Sequence, residues 1–329
     1  MITRRRTLAM TALAAATALT LTACGTTEEA STGAGSTPSG EQITLTDGTG
    51  AEVTLDGPAT KVVGTEWNVV ENLVSLGVDP VGVADVAGYG AWSSAVPLVN
   101  EPADIGTRGE PSVETIASLA PDLIVATTDL PADAVEQLKA IAPVLQVKSA
   151  DGTKQIQQSE DNLELIAKAT GTEDQATKVI GAYDQAVSDA KAALDAAGLA
   201  GSRFLFADAY VDAGQVTVRP FGKGSLVGDV TAELGLENAW TGEVDPAYGL
   251  GSTDVEGLTT VGDVQFLYNS NSTQGDDPFA STLAGNAVWQ SLPFVTAGDV
   301  HRMPEGIWVF GGPASMTAYA KAVVSTLAG

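Results

Sequence analysis

Residues 105–125, IGTRGEPSVETIASLAPDLIV, combine a loop that carries one arginine, a helix and an apolar strand. Pro111 suits the first turn of a helix better than its interior, so Pro111 or Ser112 opens the helix. Glu114 falls in the first turn, where the helix dipole favours a carboxylate. The run 123–125 (LIV) is short and apolar, as a core strand of a parallel sheet would be. This unit therefore predicts an α/β fold.

A second copy of this unit occurs later in the chain. Residues 254–267, DVEGLTTVGDVQFL, align without a gap on residues 112–125, and Glu256 then falls on Glu114. A solenoid would need several copies at a shorter period. Two copies instead predict two related lobes, each with a helix N-terminus that presents a glutamate.

The composition of the chain argues against nucleic-acid binding and against a His/Cys metal site. The 329 residues suffice for two domains, and the formal charge is -25 with no basic cluster beyond the extreme N-terminus. Because phosphate binding needs a basic patch, we do not expect nucleic acid as a partner. Cys24 is the one cysteine and His301 the one histidine, so neither an internal disulfide nor a His/Cys metal cage is possible.

The N-terminus has the layout of an export signal. Residues 4–6 (RRR) precede a short apolar run, and LTAC, which ends at Cys24, resembles the bacterial lipobox whose cysteine becomes lipidated. We expect a signal peptide over residues 1–23 and a flexible tether, rich in Gly, Ser, Thr and Pro, over residues 24–41. The protein is then anchored by lipid to the extracytoplasmic face of the cell membrane. General secretory and twin-arginine export both stay open.

Strands and helices alternate along the remaining chain, as in a parallel sheet covered by helices. The pattern predicts an N-terminal α/β lobe over residues 42–151, a connecting helix over residues 152–171 and a C-terminal α/β lobe over residues 172–329. Residues 88–92, GYGAW, are predicted to form a loop. The predicted fold is two Rossmann-like α/β lobes joined by one long helix.

Several further motifs occur in an order that one family of binding proteins shares. They are GTRGEP at 106–111, NAW at 238–240, GST at 251–253, WQSLPFV at 289–295 and WVFG at 308–311. Together with the lipobox and the two lobes, they resemble the substrate-binding lipoproteins of ABC importers for siderophores and cobalamin. Within that family the chain is most similar to ferric hydroxamate siderophore-binding proteins. The resemblance implies a monomeric binding protein with a ligand cleft between its lobes, and no enzymatic cofactor.

The resemblance also implies roles for individual residues. Arg108 matches an arginine that hydrogen-bonds the iron-bound hydroxamate oxygens. Trp308 and Phe310 match an aromatic pair that packs on the ligand, and Ser252 matches a polar contact.

Two glutamates also match the family, and two positions depart from it. Glu114 and Glu256 match the glutamates, one on each lobe, that dock on arginines of the ABC permease. Leu250 stands where a tryptophan is expected before GST, with Tyr248 as a nearby substitute. Residues 126–130, ATTDL, lack the tyrosine expected after the first-lobe strand.

The chemistry of a siderophore suits these residue types. The chelator already fills the coordination sphere of Fe(III), so the protein needs no metal ligands of its own. It needs an apolar pocket and a few polar groups positioned to contact the chelate. An arginine fork matches partly negative chelated oxygens, and aromatic faces supply contact area at low entropy cost. Further candidates near predicted strand ends or in loops are Trp67, Tyr89, Trp92, Arg219 and Tyr248.

Two alternative functions remain. Heme or cobalamin delivery belongs to the same family; a heme iron would take an axial His or Tyr, and Tyr89 and Tyr248 stay candidates while His301 is interpreted as structural. A secreted hydrolase is a more distant alternative. No Gly-x-Ser-x-Gly elbow surrounds Ser225 or Ser315, so an enzyme is disfavoured.

Overall fold

A computed structural model of the chain describes residues 42–329. The predicted signal peptide, the tether and Cys24 lie outside these residues. Within the described part, a two-stranded hairpin precedes helices and strands that alternate around two five-stranded sheets, which confirms the predicted α/β class. None of the helices described there is long and apolar enough to span a membrane.

The described chain begins with an antiparallel hairpin made of β1 (Ile43–Thr46) and β2 (Glu52–Leu55). Asp47 fixes the turn because its side chain accepts hydrogen bonds from the backbone N–H groups of Thr49 and Ala51 at 2.8 and 3.0 Å. Apolar residues of both strands join the core of the first lobe.

The first lobe contains a five-stranded parallel sheet in the order β5-β4-β3-β6-β7. Its strands are β3 (Val62–Gly64), β4 (Gly82–Val83), β5 (Ala103–Asp104), β6 (Leu123–Thr127) and β7 (Val144–Val147). Its helices are α1 (Trp67–Ser75), α2 (Val86–Trp92), α3 (Val113–Leu119) and α4 (Ala132–Lys139). Ile124 and Val125 enter different core clusters, so the sheet is buried on both faces. The connections after β3 and β6 lead to opposite sides, which makes their carboxyl ends a topological switch point.

The second lobe contains the parallel order β10-β8-β11-β12, with β9 antiparallel to β8. Its strands are β8 (Arg203–Asp212), β9 (Gln215–Phe221), β10 (Glu237–Asn238), β11 (Gln265–Tyr268) and β12 (Val300–Arg302). Its helices are α7 (Leu226–Glu233), α8 (Ala287–Ser291), α9 (Pro293–Ala297) and α10 (Pro313–Leu327). Asp208 lies directly opposite Arg219 in the β8–β9 pairing.

Two helices, α5 (Gln155–Thr170) and α6 (Glu173–Ala196), lie between the sheets in sequence. The helix predicted over residues 152–171 is α5, and most of its buried apolar residues join the first-lobe core. Both helices contact both cores. In α5, Ile156 packs against the second-lobe core while Leu163 belongs to the first. In α6, Ala176 belongs to the first-lobe core and Leu194 to that of the second. The 24 residues of α6 span about 36 Å at the usual helical rise.

Two local predictions were wrong. Residues 88–92 are helical rather than a loop, because Asp85 caps α2 by accepting a hydrogen bond from Gly88 N at 3.0 Å. The second copy of the repeated unit has a strand, β11, but only a short 3-10 helix, Gly257–Thr260, where a longer helix was predicted. Gly, Thr and Thr are poor helix formers, and Gly262 then adopts a φ of 75°, which turns the chain away from the helical direction.

Candidate functional site: an interlobe cleft

The first lobe presents charged residues at the carboxyl ends of its parallel strands. Glu66 follows β3, and Asp85 follows β4. Arg108 lies in the loop after β5, and Asp129 follows β6. All four line one cavity. Ligands of open α/β sheets bind outside these strand ends at a switch point, so the topology alone makes this edge a candidate site.

The second lobe supplies the opposite wall from three segments. Arg219 extends from β9, and Tyr248 and Leu250 lie in the loop after β10. Trp308 and Phe310 lie in the turn between β12 and α10. The two walls enclose a cavity of about 620 Å³, a size typical of small-molecule sites. Neither lobe alone forms it.

Arg108 is held by contacts to both lobes. Its Nη1 donates a hydrogen bond to Glu66 Oε1 at 2.9 Å. Its guanidinium carbon lies 3.9 Å from the ring centre of Trp67 and 5.3 Å from that of Trp308. An ion pair and two aromatic faces fix the plane of the guanidinium. About a third of the side chain (36%) stays exposed, so N–H groups remain accessible from the cavity.

An aromatic cluster surrounds this arginine. The rings of Trp67 and Trp308 meet edge to face at 4.8 Å, and Phe310 continues the wall 5.2 Å from Trp308. Trp92 lies behind Trp308 at 6.0 Å, and Tyr248 lies 5.9 Å from Phe310. Such edge-to-face contacts order the rings and provide an apolar surface for an organic ligand.

Arg219 is built into the opposite wall in a similar way. It forms an ion pair with Asp208, with Nε donating to Oδ1 at 2.9 Å. Its guanidinium carbon lies 5.7 Å from the ring centre of Phe221 and 5.6 Å from that of Phe310. Burial raises the pKa of Asp208 above its usual value, and Arg219 acts in the opposite direction. The carboxylate of Asp208 therefore depends on this arginine for its charge.

Tyr248 links the two walls, because its hydroxyl donates a hydrogen bond to Asp129 of the first lobe. Burial, and next the contact with Asp129, raise the pKa of Tyr248 above its usual value. The phenol therefore keeps its proton at neutral pH and serves as a donor to Asp129. Asp129 follows the strand after which the family's tyrosine was expected, so a carboxylate occupies that side of the cleft.

The cavity brings together most of the predicted ligand-binding residues. Arg108, Trp308, Phe310, Tyr248 and Arg219 all line it. Leu250, which stands where a tryptophan was expected before the GST motif, lines the cavity beside Tyr248.

The other predicted ligand-binding residues lie elsewhere. Trp67 is 3% exposed and lies beneath Arg108, so it supports the site without lining the cavity. Trp92 supports Trp308 and lines a neighbouring cavity. Tyr89 is a core residue, because it is 1% exposed and its hydroxyl donates to Val96 O at 2.6 Å.

Ser252 is exposed and does not line the cavity. Its segment pairs along β9, with Leu250 opposite Phe221 and Thr253 opposite Val218. This pairing places Leu250 at the cavity and carries the following residues away from it. The structure therefore does not bring Ser252 to the place that the family resemblance implies.

Sequence reasoning missed three acidic lining residues, Glu66, Asp85 and Asp129. Each lies two residues after the end of a parallel strand of the first lobe, and this position is the signal that marks them. Their acidity matters because each arginine of the cleft already has a carboxylate partner. The described lining therefore carries no excess of positive charge.

The two glutamates predicted to contact a permease are both exposed. Glu114 lies in the first turn of α3, whose N-terminus is capped by Ser112 Oγ accepting from Thr115 N at 3.2 Å. Glu256 immediately precedes the 3-10 helix of the second lobe.

Metal-ligating side chains do not cluster in the described part of the chain: no group of three His, Cys, Asp or Glu residues there is arranged to hold a metal ion. His301 instead shares a hydrogen bond of 2.8 Å with Gln265 and lies outside the cavity lining. Burial lowers the pKa of His301, which favours the neutral ring.

The chain belongs to the periplasmic binding protein family, whose sequence model matches residues 62–306. This range includes both sheets. Members of this family and the similar proteins below are substrate-binding proteins, so the chain is a binding protein and not an enzyme. The hydrolase alternative is thereby excluded.

Two proteins of similar sequence are named for the iron chelates that they bind. The chain is 28% identical to the iron(3+)-hydroxamate-binding protein FhuD of Escherichia coli (strain K12) over 269 residues, 82% of this chain and 87% of that protein. It is also 28% identical to the Fe(3+)-citrate-binding protein YfmC of Bacillus subtilis (strain 168) over 294 residues, 89% and 88% of the two chains.

Among solved structures, the fold matches the Fe3+–Desferal-bound siderophore-binding protein FhuD from Vibrio cholerae. The TM-score is 0.71 at 26% identity, covering 82% of this chain and 97% of that one. This match confirms the predicted fold class, with two α/β lobes and a cleft between them.

Proposed function

We propose that this protein captures an Fe(III)-siderophore, with a hydroxamate type favoured, and delivers it to an ABC importer. The observation that carries the proposal is Arg108, oriented between the rings of Trp67 and Trp308 and partly exposed in the interlobe cavity. A fork of N–H donors in an apolar wall suits the partly negative oxygens of an iron chelate. The iron is held by the chelator, and the protein supplies no metal ligand.

The charge of the cleft supports a hydroxamate over a catecholate. Three hydroxamate groups balance the charge of Fe(III), whereas three catecholates leave a trianion. The cavity lining contains three carboxylates, Glu66, Asp85 and Asp129, against two arginines. A trianion would be repelled there because charges interact strongly in a partly desolvated cleft.

The same proposal covers the anchoring of the protein. The lipobox at Cys24 supports a lipid anchor on the extracytoplasmic face of the cell membrane, after removal of residues 1–23. Residues 24–41 would then serve as the tether between the membrane and the two lobes. Family membership supports an extracytoplasmic place of action.

Delivery is proposed to use one glutamate on each lobe. Glu114 and Glu256 are exposed and occupy equivalent positions of the repeated unit. A monomer that presents one carboxylate per lobe would match two arginines on the ABC permease subunits.

A fluorescence titration tests the cargo. Residues 42–329 are titrated in parallel with a ferric trihydroxamate, a ferric triscatecholate and heme, because Trp67, Trp92 and Trp308 form one cluster at the cleft. We expect saturable quenching by the trihydroxamate alone. It should be lost in Arg108→Ala and kept in Arg203→Ala, an exposed arginine outside the cavity lining. Tight binding of heme or of the catecholate instead would overturn the proposed ligand.

A further inference from the structure

A buried carboxylate connects the two lobes below the cleft. Glu71 lies on α1 of the first lobe and is fully buried. Its Oε1 accepts hydrogen bonds from Gly312 N at 3.0 Å and from Ser315 N at 2.9 Å, at the start of α10 in the second lobe. The first N–H groups of a helix lack partners within the helix, and the helix dipole favours a negative charge there. One side chain thus caps a helix of the other lobe.

The packing around this contact is close. A Cβ atom on Gly312 would overlap Asn72 Oδ1, so the approach of α10 to α1 requires glycine at this position. Glu71 Oε2 and Ser315 Oγ are buried and have no hydrogen-bond partner among the described groups. We call Glu71, Asn72, Gly312 and Ser315 the buried junction. It leaves little freedom for the lobes to shift without breaking buried hydrogen bonds.

The buried junction is adjacent to the aromatic wall of the cavity. Trp308 and Phe310 precede α10 directly, and Gly311 N donates to Trp308 O at 2.9 Å, which closes a tight turn. The position of this turn follows from the position of the first turn of α10. Trp308 in turn contacts Trp67 and Arg108 of the first lobe.

We propose that Glu71 is a positioning residue for cargo binding, because by holding the start of α10 it sets the Trp308–Phe310 turn against Arg108. The inference rests on the proposed function for its cargo. The plain alternative is a cap that stabilises the fold and leaves the aromatic wall unaffected. The two roles predict different outcomes for a variant that lacks the Glu71 carboxylate but still folds. Only the positioning role predicts that Trp308 is displaced.

The test compares Glu71→Gln, which keeps an accepting oxygen, with Glu71→Leu, which has none. Two properties are measured well below the melting temperature: affinity for Fe3+–Desferal and the near-ultraviolet circular dichroism of the coupled Trp67 and Trp308 rings. We expect Glu71→Leu to bind at least tenfold more weakly with a changed aromatic spectrum. Glu71→Gln should stay within threefold of the wild type with an unchanged spectrum.

A folded Glu71→Leu protein with wild-type affinity and spectrum would overturn the proposal. If Glu71→Leu fails to fold, Gly312→Ala displaces the same contact from the second lobe and should show the same two changes. The spectrum needs no cargo. If the wild-type protein does not bind the chelate, the proposed function is overturned, while the spectra still decide whether Glu71 positions Trp308.

Discussion

The cleft and the buried junction both lie between the lobes, but they use opposite chemistry. In the cleft, each arginine is partly exposed and has a carboxylate partner, Glu66 for Arg108 and Asp208 for Arg219. In the buried junction, Glu71 forms no ion pair within the described residues and is held by backbone N–H groups. Partly exposed charges can exchange partners at small cost, whereas a buried carboxylate keeps fixed ones. The difference separates the proposed recognition of cargo from the placement of the lobes.

The largest expected effect concerns the junction, where stability should depend on pH. Burial raises the pKa of Glu71 from 4.5 to about 7 in the folded protein. Between these values the folded protein keeps a proton that the unfolded chain has released. The free energy of unfolding should therefore fall as pH rises through this window, by about 3 kcal/mol. Chemical denaturation at a series of pH values measures the fall.

Glu71→Gln isolates this contribution because it cannot titrate. Its free energy of unfolding should vary less across the window than that of the wild type, whereas Glu114→Gln, at an exposed site, should follow the wild type. Tyr89 interacts electrostatically with Glu71, but burial raises its pKa far above this range, so it does not contribute. Identical profiles for Glu71→Gln and the wild type would rule out Glu71 as the source.

The second effect concerns Arg108. Replacing it with alanine should weaken binding of a ferric trihydroxamate about 100-fold, because a hydrogen bond to a charged group contributes about 1.5–3 kcal/mol. Stability should change little, since Glu66 keeps access to water once the arginine is gone. Titration and thermal melting on the same sample test both statements. A large loss of melting temperature would place Arg108 with the structural contacts instead.

Replacing Arg219 should have a smaller effect, which is a loss of protein stability. Its removal leaves Asp208 largely buried without its cation, so Arg219→Ala should lower the free energy of unfolding by about 1–2 kcal/mol. Adding Asp208→Asn should restore most of the loss, because the two residues act as a pair. Urea denaturation of the two single variants and the double variant measures this. Simple additivity in this cycle would show that the pair is not coupled.

The smallest effect on affinity is expected for the two exposed glutamates. Glu114→Lys and Glu256→Lys should bind cargo like the wild type, because both sites lie outside the cavity lining. Uptake of radioactive iron chelate by cells that depend on this protein should nevertheless fall. Glu52→Lys, an exposed glutamate of the N-terminal hairpin, serves as the control for net charge. Uptake equal to that of the control would argue against docking through these carboxylates.

The sequence predicted the parts of the cleft that local motifs encode. Arg108, Trp308 and Phe310 lie in short motifs next to strand or helix ends, and they reach the cavity because the topology brings strand ends together. Tyr89 shows the limit of the same reasoning. An aromatic residue near glycines reads as part of a loop, yet here it anchors a helix in the core through a bond to Val96.

The buried junction was beyond sequence reasoning for a different reason. Glu71 occupies a helical position among apolar residues, and nothing nearby in the sequence marks its partners. Those partners, Gly312 and Ser315, lie 241 and 244 residues away. The contacts of the helices between the two sheets are hidden from the sequence for a related reason. Both α5 and α6 are amphipathic, and only the tertiary packing shows that each of them contacts both cores.

The order of the two sheets along the chain has a consequence for how the molecule is assembled. All strands of the first sheet come from residues 62–147, and all strands of the second from residues 203–302. Each sheet comes from a continuous stretch of chain, so all strands of the first are made before those of the second are synthesised. α10 arrives last and alone brings partners to Glu71. The contact at Glu71 can therefore form only once the chain has been made as far as Ser315, close to its end.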